Sequence, residues 1–284
     1  MSSEVVTLEA GTAVVDVDPA HGGRIAQITV DGRALLVGPD HPQATTPTSW
    51  GVFPMVPWAG RIRHGRFRFF GQDVEMRTNF QDGADDDPAR RHAIHGTGFE
   101  RPWTVVDRRA TAVELSCPVE GGVGWPYAGT AHQRLELAGD RLRCELTLTS
   151  AGEVFPADLG WHPWFLPPRA LDFSPVAMYA QDEIGLPNGE LVPPPPGPWD
   201  DCFVSTRAVV LRYEDRPTTV TVESDCDHWV VFDRLAHAVC VEPQSGPPDS
   251  PTIRPRLVTP ERPLSRWMTL SWDDSHHDSG PAQG

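Results

Sequence analysis

The stretch Arg24-Ile25-Ala26-Gln27-Ile28-Thr29-Val30-Asp31-Gly32-Arg33-Ala34-Leu35-Leu36-Val37 reads as two short apolar strands joined by a tight turn. Asp-Gly between such runs is a strong hairpin signal, because both residues accept the positive φ that a two-residue β-turn demands. With residues 12–17 in front of it, the stretch predicts three early strands. The same patterning recurs along the chain. Residues 66–70 and 72–77 flank Gly71, and further strands are expected at 103–107, 112–119, 130–137, 141–149, 209–213, 218–223, 229–232 and 267–272. Gly139-Asp140 marks another hairpin. No amphipathic helix of ordinary length interrupts the series. The expected fold is therefore all-β, a large antiparallel β-sandwich formed by residues 1–274 as a single domain, with the polar residues 275–284 a frayed tail. Residues 78–91, acidic and rich in Gly and Asp, read as a loop, and residues 186–198, with the run Pro193 to Pro196, as an extended connection rather than a strand. Strand patterning resumes beyond both, so neither reads as an interdomain linker.

Composition excludes several function classes. The 284 residues are 39% hydrophobic, enough for a sizeable core, and the formal net charge of −15 disfavours nucleic acid or an anionic membrane as partner. The start Met1-Ser2-Ser3-Glu4 has neither the basic nor the apolar segment of a signal peptide, and no run approaches a membrane span, so the expected location is cytoplasmic. Cys117, Cys144, Cys202, Cys226 and Cys240 are odd in number and widely spaced, which suits buried free thiols. All 24 basic residues are arginine. Without lysine, neither a Schiff-base mechanism nor a Walker-type phosphate loop is possible.

Four stretches carry residues suited to chemistry. In Ala238-Val239-Cys240-Val241-Glu242-Pro243-Gln244-Ser245-Gly246-Pro247-Pro248-Asp249, an apolar strand with one buried face is expected to end at Pro243, presenting Glu242 and Gln244 where strand opens into loop. The plain alternative is a strand-end Glu facing water. Pro57-Trp58-Ala59-Gly60-Arg61-Ile62-Arg63-His64-Gly65-Arg66-Phe67 sets guanidinium groups beside an indole, a mixture that binds oxygen-rich ligands or forms an ordinary basic turn. His92-Ala93-Ile94-His95-Gly96-Thr97-Gly98-Phe99-Glu100-Arg101-Pro102-Trp103 places His95 in a glycine-flanked loop, and His92 and His95 alone lack the further ligands of a metal site. In Leu159-Gly160-Trp161-His162-Pro163-Trp164-Phe165-Leu166-Pro167, Pro163 keeps His162 out of a helix and aromatic residues surround it, which fits either a satisfied core histidine or stacking on a sugar.

The order Gly60-Arg61-Ile62, His95-Gly96 with Arg101-Pro102-Trp103, Gly160-Trp161-His162-Pro163-Trp164-Phe165 and Val241-Glu242-Pro243-Gln244 resembles the aldose 1-epimerase (galactose mutarotase) family over most of the chain. That resemblance implies a β-sandwich with an open sugar cleft and no metal or organic cofactor. It assigns Glu242 as general base and His162 as general acid, with His95, Arg61 and Gln244 as sugar contacts. Asp201 in Trp199-Asp200-Asp201-Cys202-Phe203 matches the family's sugar-binding aspartate, and Asp200 is an equally close candidate. Gly60 stands where members often carry Asn, and Trp164 where Tyr is common, so the preferred sugar is open. Interconverting anomers needs one proton removed from the C1 hydroxyl and one delivered to the ring oxygen, for which a carboxylate and an imidazole suffice. Other readings are a hexose-6-phosphate 1-epimerase using Arg61, Arg63, Arg66, Arg90 and Arg91, a non-catalytic sugar-binding module, and a glycosidase with Asp201 as second carboxylate.

Overall fold

The computed structural model describes residues 4–83, 86–122, 124–214 and 219–273; the expected tail at 275–284 lies outside them. Two large sheets carry most of the chain. The first has eleven strands, running in space from Val6–Ala10 through Ala13–Asp18, Arg24–Val30, Val52–Met55, Gly160–Phe165, Ala238–Gln244, His228–Leu235, Asp200–Val204 and Ala177–Gln181 to Pro187–Val192, with Arg33–Ala34 attached to Arg24–Val30. The second has eight: Thr104–Arg109, Ala112–Val119, Gly129–Leu137, Arg141–Ser150, Leu264–Trp272, Thr219–Ser224, Val209–Arg212 and Ala170–Asp172. Every ladder between these strands is antiparallel. The one α-helix among the described residues is the four-residue Ser250–Ile253, so no helix there is long and apolar enough to cross a membrane.

Side-chain alternation builds the core. Val15, Val17 and Ile28 of the first sheet pack with Val113, Leu115, Leu135, Leu146 and Leu270 of the second, all nearly or fully buried. Trp161 belongs to this layer and is fully buried, and its Nε1–H donates to Gln133 Oε1 of the second sheet at 3.4 Å. The five cysteines are buried and free, as expected.

Sequence patterning located residues 24–30 and 112–119 to the residue. The run expected at 33–37 is strand only at Arg33–Ala34, after which Leu36 makes an isolated bridge to Phe165. Two expectations are corrected. Part of 186–198 is strand after all: Pro187–Val192 forms one edge of the first sheet, where a proline at the first position costs no central hydrogen bond, while the Pro193 to Pro196 run stays outside it. The Glu242 strand does not stop at Pro243 but continues to Gln244, and all seven of its residues are buried rather than one face only. It is an interior strand of the sheet, paired on one edge with Gly160–Phe165 and on the other with His228–Leu235.

Replacing Trp161 with Ala should cost ~3–5 kcal/mol, because a large buried ring leaves a cavity that antiparallel strands cannot close. Urea unfolding should show it as a lowered midpoint, whereas Val176→Ser at the 71% exposed Val176 should stay within about 0.5 kcal/mol of wild type.

Candidate active site

Three neighbouring strands in the middle of the first sheet turn one row of side chains away from the sandwich core. The register pairs Gly160 with Gln244 and Trp164 with Cys240, which sets His162 opposite Glu242, and it pairs His162 with Phe53 on the other side. Odd-numbered Trp161 and Val241 point into the core, so His162 and Glu242 point out of it together. The Trp164 N–H bonds Gly51 on the far side, and by alternation His162 and Glu242 form a non-hydrogen-bonded pair, the kind in which opposed side chains approach most closely. Pro163 and Pro243 each remove a donor from the ladder between the two strands without displacing this pair.

His162 Nε2 lies 3.2 Å from Glu242 Oε1, and both side chains are less than a tenth exposed. Aromatic rings hold the imidazole in place: it stacks on Phe53 at 4.7 Å and on Trp164 at 5.3 Å, and meets His95 edge-on at 4.9 Å. His95 has a left-handed backbone, φ 57°, and is followed by Gly96 at φ 82°, where a Cβ would fall 2.0 Å from the Val56 carbonyl oxygen. Only glycine fits there. The His95 N–H bonds the Gly60 carbonyl at 3.0 Å, tying this loop to the one that carries Arg61.

Burial controls the titration of the group. Desolvation lowers the His162 pKa to about 3, and it lowers that of His95 well below the usual value, with the nearby His162 and Arg61 adding to the effect. Desolvation raises the Glu242 pKa, reinforced by Asp200 and opposed by Arg61. Burial therefore favours the uncharged forms, a neutral imidazole at His162 and at His95 and a protonated carboxyl at Glu242.

His162, Glu242, His95, Arg61, Asp200 and Asp201 all line one cleft of about 440 Å³, together with Trp164. Arg61 is held rather than free, donating to Asp82 Oδ2 at 2.7 Å and to the Gly185 carbonyl at 2.8 Å. Alternation puts Asp200 on the face shared by Cys202, Val230 and Glu242, while the Asp201 carboxylate accepts from Gln181 Nε2 at 3.0 Å. Gln244 is not among the residues that line the cleft: it is fully buried two positions beyond Glu242, and neither polar atom of its amide has a hydrogen-bond partner. Gln244 is the last residue of its strand, but that end is buried instead of opening into an exposed loop. Sequence reading missed Tyr179, Gln181, Glu183, Phe232 and Arg234, which also line the cleft. They come from strands and turns distant in sequence, and no local spacing announces them.

A profile of the aldose 1-epimerase family matches residues 4–259. The chain belongs to the aldose 1-epimerase family. Among solved structures this family member superimposes on a galactose mutarotase-like protein from Clostridium acetobutylicum with TM-score 0.81 and 17% identity, covering 95% of each chain. With galactose 1-epimerase from Lactobacillus acidophilus NCFM the TM-score is 0.76 at 16% identity, over 96% of this chain and 95% of that one. At such identities the likeness establishes the fold. The uncharacterized protein YphB of Escherichia coli (strain K12) is 30% identical over 162 residues, covering 57% of this chain and 51% of YphB. YihR of the same strain, also uncharacterized, is 27% identical over 168 residues, covering 57% of this chain and 50% of YihR. The aligned segments thus span about half the length of the curated relatives that this epimerase-family chain matches.

In a pH titration followed by nitrogen-15 NMR, the His162 ring should keep its neutral signature as pH falls through about 6.5, the ordinary histidine value. A midpoint there would contradict the burial of this ring.

Proposed function

We propose that the protein is an aldose 1-epimerase acting on a free, neutral aldose, with Glu242 as general base and His162 as general acid. The observation that carries this is the buried 3.2 Å contact between His162 Nε2 and Glu242 Oε1 on the cleft wall. The C1 hydroxyl and the ring oxygen of a pyranose hang from the same carbon, so an acid and a base held side by side reach both. In this reading the resting pair holds one proton, on Glu242, facing His162 Nε2. Its transfer from Glu242 to His162 leaves a carboxylate to take the hydroxyl proton and an imidazolium to protonate the ring oxygen. The ring opens, rotation about C1–C2 exposes the other face of the aldehyde, and reversal of both transfers closes it as the other anomer. Protons return to their starting groups, and each transfer is worth ~10²–10⁴-fold.

The remaining lining supports sugar binding. Trp164 offers an apolar plane for a pyranose face, and His95, Asp200 and Asp201 present polar groups around it. A second reading, turnover of a hexose phosphate, draws on Arg90 and Arg234, which line the cleft without an ion-pair partner among the described residues. Against it, Asp82, Glu183, Asp200 and Asp201 line the same space and repel an added phosphate.

Polarimetry on freshly dissolved α-aldoses tests the proposal. Glu242→Gln should lower kcat by roughly 10²-fold or more while thermal unfolding shows an intact fold, and His162→Asn should also lower kcat. Near-normal turnover in a folded Glu242→Gln protein would end the mechanism. Kinetics on matched free and 6-phosphorylated hexoses should show the higher kcat/KM for the free sugar. Because the competent pair holds one proton, kcat/KM should stay level as pH falls through about 6.5 and drop only when the buried imidazole gains a second proton for the pair.

A further inference from the structure

We propose that His95, His162 and Glu242 form a binding site for a divalent cation of the zinc class, and that the ion occupies the cleft in competition with the sugar. One ligating atom from each residue lies within 4.8 Å of the other two, and all three residues are buried. The donor set is two imidazoles and one carboxylate, the mixture that borderline divalent ions prefer over the all-oxygen sites of Mg²⁺. The spacing of one donor pair already agrees with the chemistry, and the wider set, within 4.8 Å, would draw in slightly on an ion. Donors bound tetrahedrally at ~2.0–2.2 Å from Zn²⁺ lie about 3.3–3.6 Å from one another, and His162 Nε2 and Glu242 Oε1 are already 3.2 Å apart. The two imidazoles meet edge to face, with planes at 90° and centroids 4.9 Å apart, so they do not stack face to face. The cleft leaves the fourth coordination position open to water.

What surrounds these donors decides between a cofactor and a competitor. Metal-bound histidines almost always donate their second ring N–H to a carboxylate or carbonyl, which fixes the ring and strengthens the bond. Here the buried Nδ1 atoms of both His95 and His162 have no hydrogen-bond partner. The first set of ligands is present, and the supporting set is missing. The site therefore binds the ion reversibly, and the bound ion blocks the two groups that the proposed epimerase chemistry needs. Competition with sugar rests on that reading; binding of the ion does not.

Titration calorimetry of metal-stripped full-length protein with ZnCl₂ should show one saturable site, with no comparable binding of MgCl₂. His95→Asn and Glu242→Gln should each weaken it by more than about tenfold, since loss of a ligand costs at least as much as loss of an outer partner. A double change at the stacked pair His41 and His237, which lies apart from the cleft, should leave it unaltered. In activity assays Zn²⁺ should raise the apparent KM for aldose with kcat unchanged. X-ray absorption on zinc-loaded wild type counts imidazole ligands without any variant, and two are expected. Absence of saturable binding, fewer than two imidazoles, or binding indifferent to His95→Asn in a folded protein would overturn the site. Cleft-dependent zinc binding in a protein that turns over no aldose would uphold the site and remove the epimerase reading instead.

Discussion

Two titratable side chains face each other across adjacent strands, almost wholly buried at the wall of the cleft, and the geometry around them follows from that. A lone buried carboxylate or imidazolium would be strongly destabilising, whereas a carboxyl and an imidazole that share a proton need carry no net charge. The interior of an antiparallel sheet fixes their separation. Opposed residues in a non-hydrogen-bonded pair are the closest neighbours a sheet offers, and His162 and Glu242 occupy that relationship. Rings on both sides of His162 prevent the imidazole from turning away. Position comes from strand register and packing, so the site needs no flexible loop to assemble its central pair.

Much of this was legible in the sequence, and the parts that were not have identifiable causes. Alternation of apolar residues reports half-buried strands faithfully, which is why Arg24–Val30 and Ala112–Val119 were readable to the residue. It reports poorly on strands buried on both faces. Gly160–Phe165 and Ala238–Gln244 have no polar face, and each carries a proline that reads as a stop. His162, Glu242, His95 and Arg61 drew notice because glycine, proline and tryptophan flank them, but each local stretch also fitted an ordinary structural reading, and only the resemblance of four motifs in order separated the two. Gln244 could not be separated from them by the same signal, since its burial depends on a strand that outlasts Pro243. Tyr179, Glu183 and Arg234 were invisible for a different reason: they join the cleft through sheet order, and the strand order of the large sheet departs from chain order at several points.

Family membership and fold fix the framework, while the identity of the side chains on the rim distinguishes one member from another. Gly60 is an instance. Its φ of 67° and the presence of Pro248 2.8 Å from where a Cβ would lie leave no space for the amide side chain that other members often have there. Arg234, which has no ion-pair partner among the described residues, and Asp200 line the same wall.

The double attachment of Arg61 has a consequence for motion. Its guanidinium joins the short strand Arg61–Ile62 to Asp82 on one segment and to Gly185 on another, three pieces of chain that are far apart in sequence. Spreading the mouth of the cleft would break two bonds to a cation at once, a larger penalty than parting neutral loops. The rim should accordingly fluctuate as one body, with small amplitude on the nanosecond scale of free loops, so that a ligand entering the cleft would meet a wall already in position.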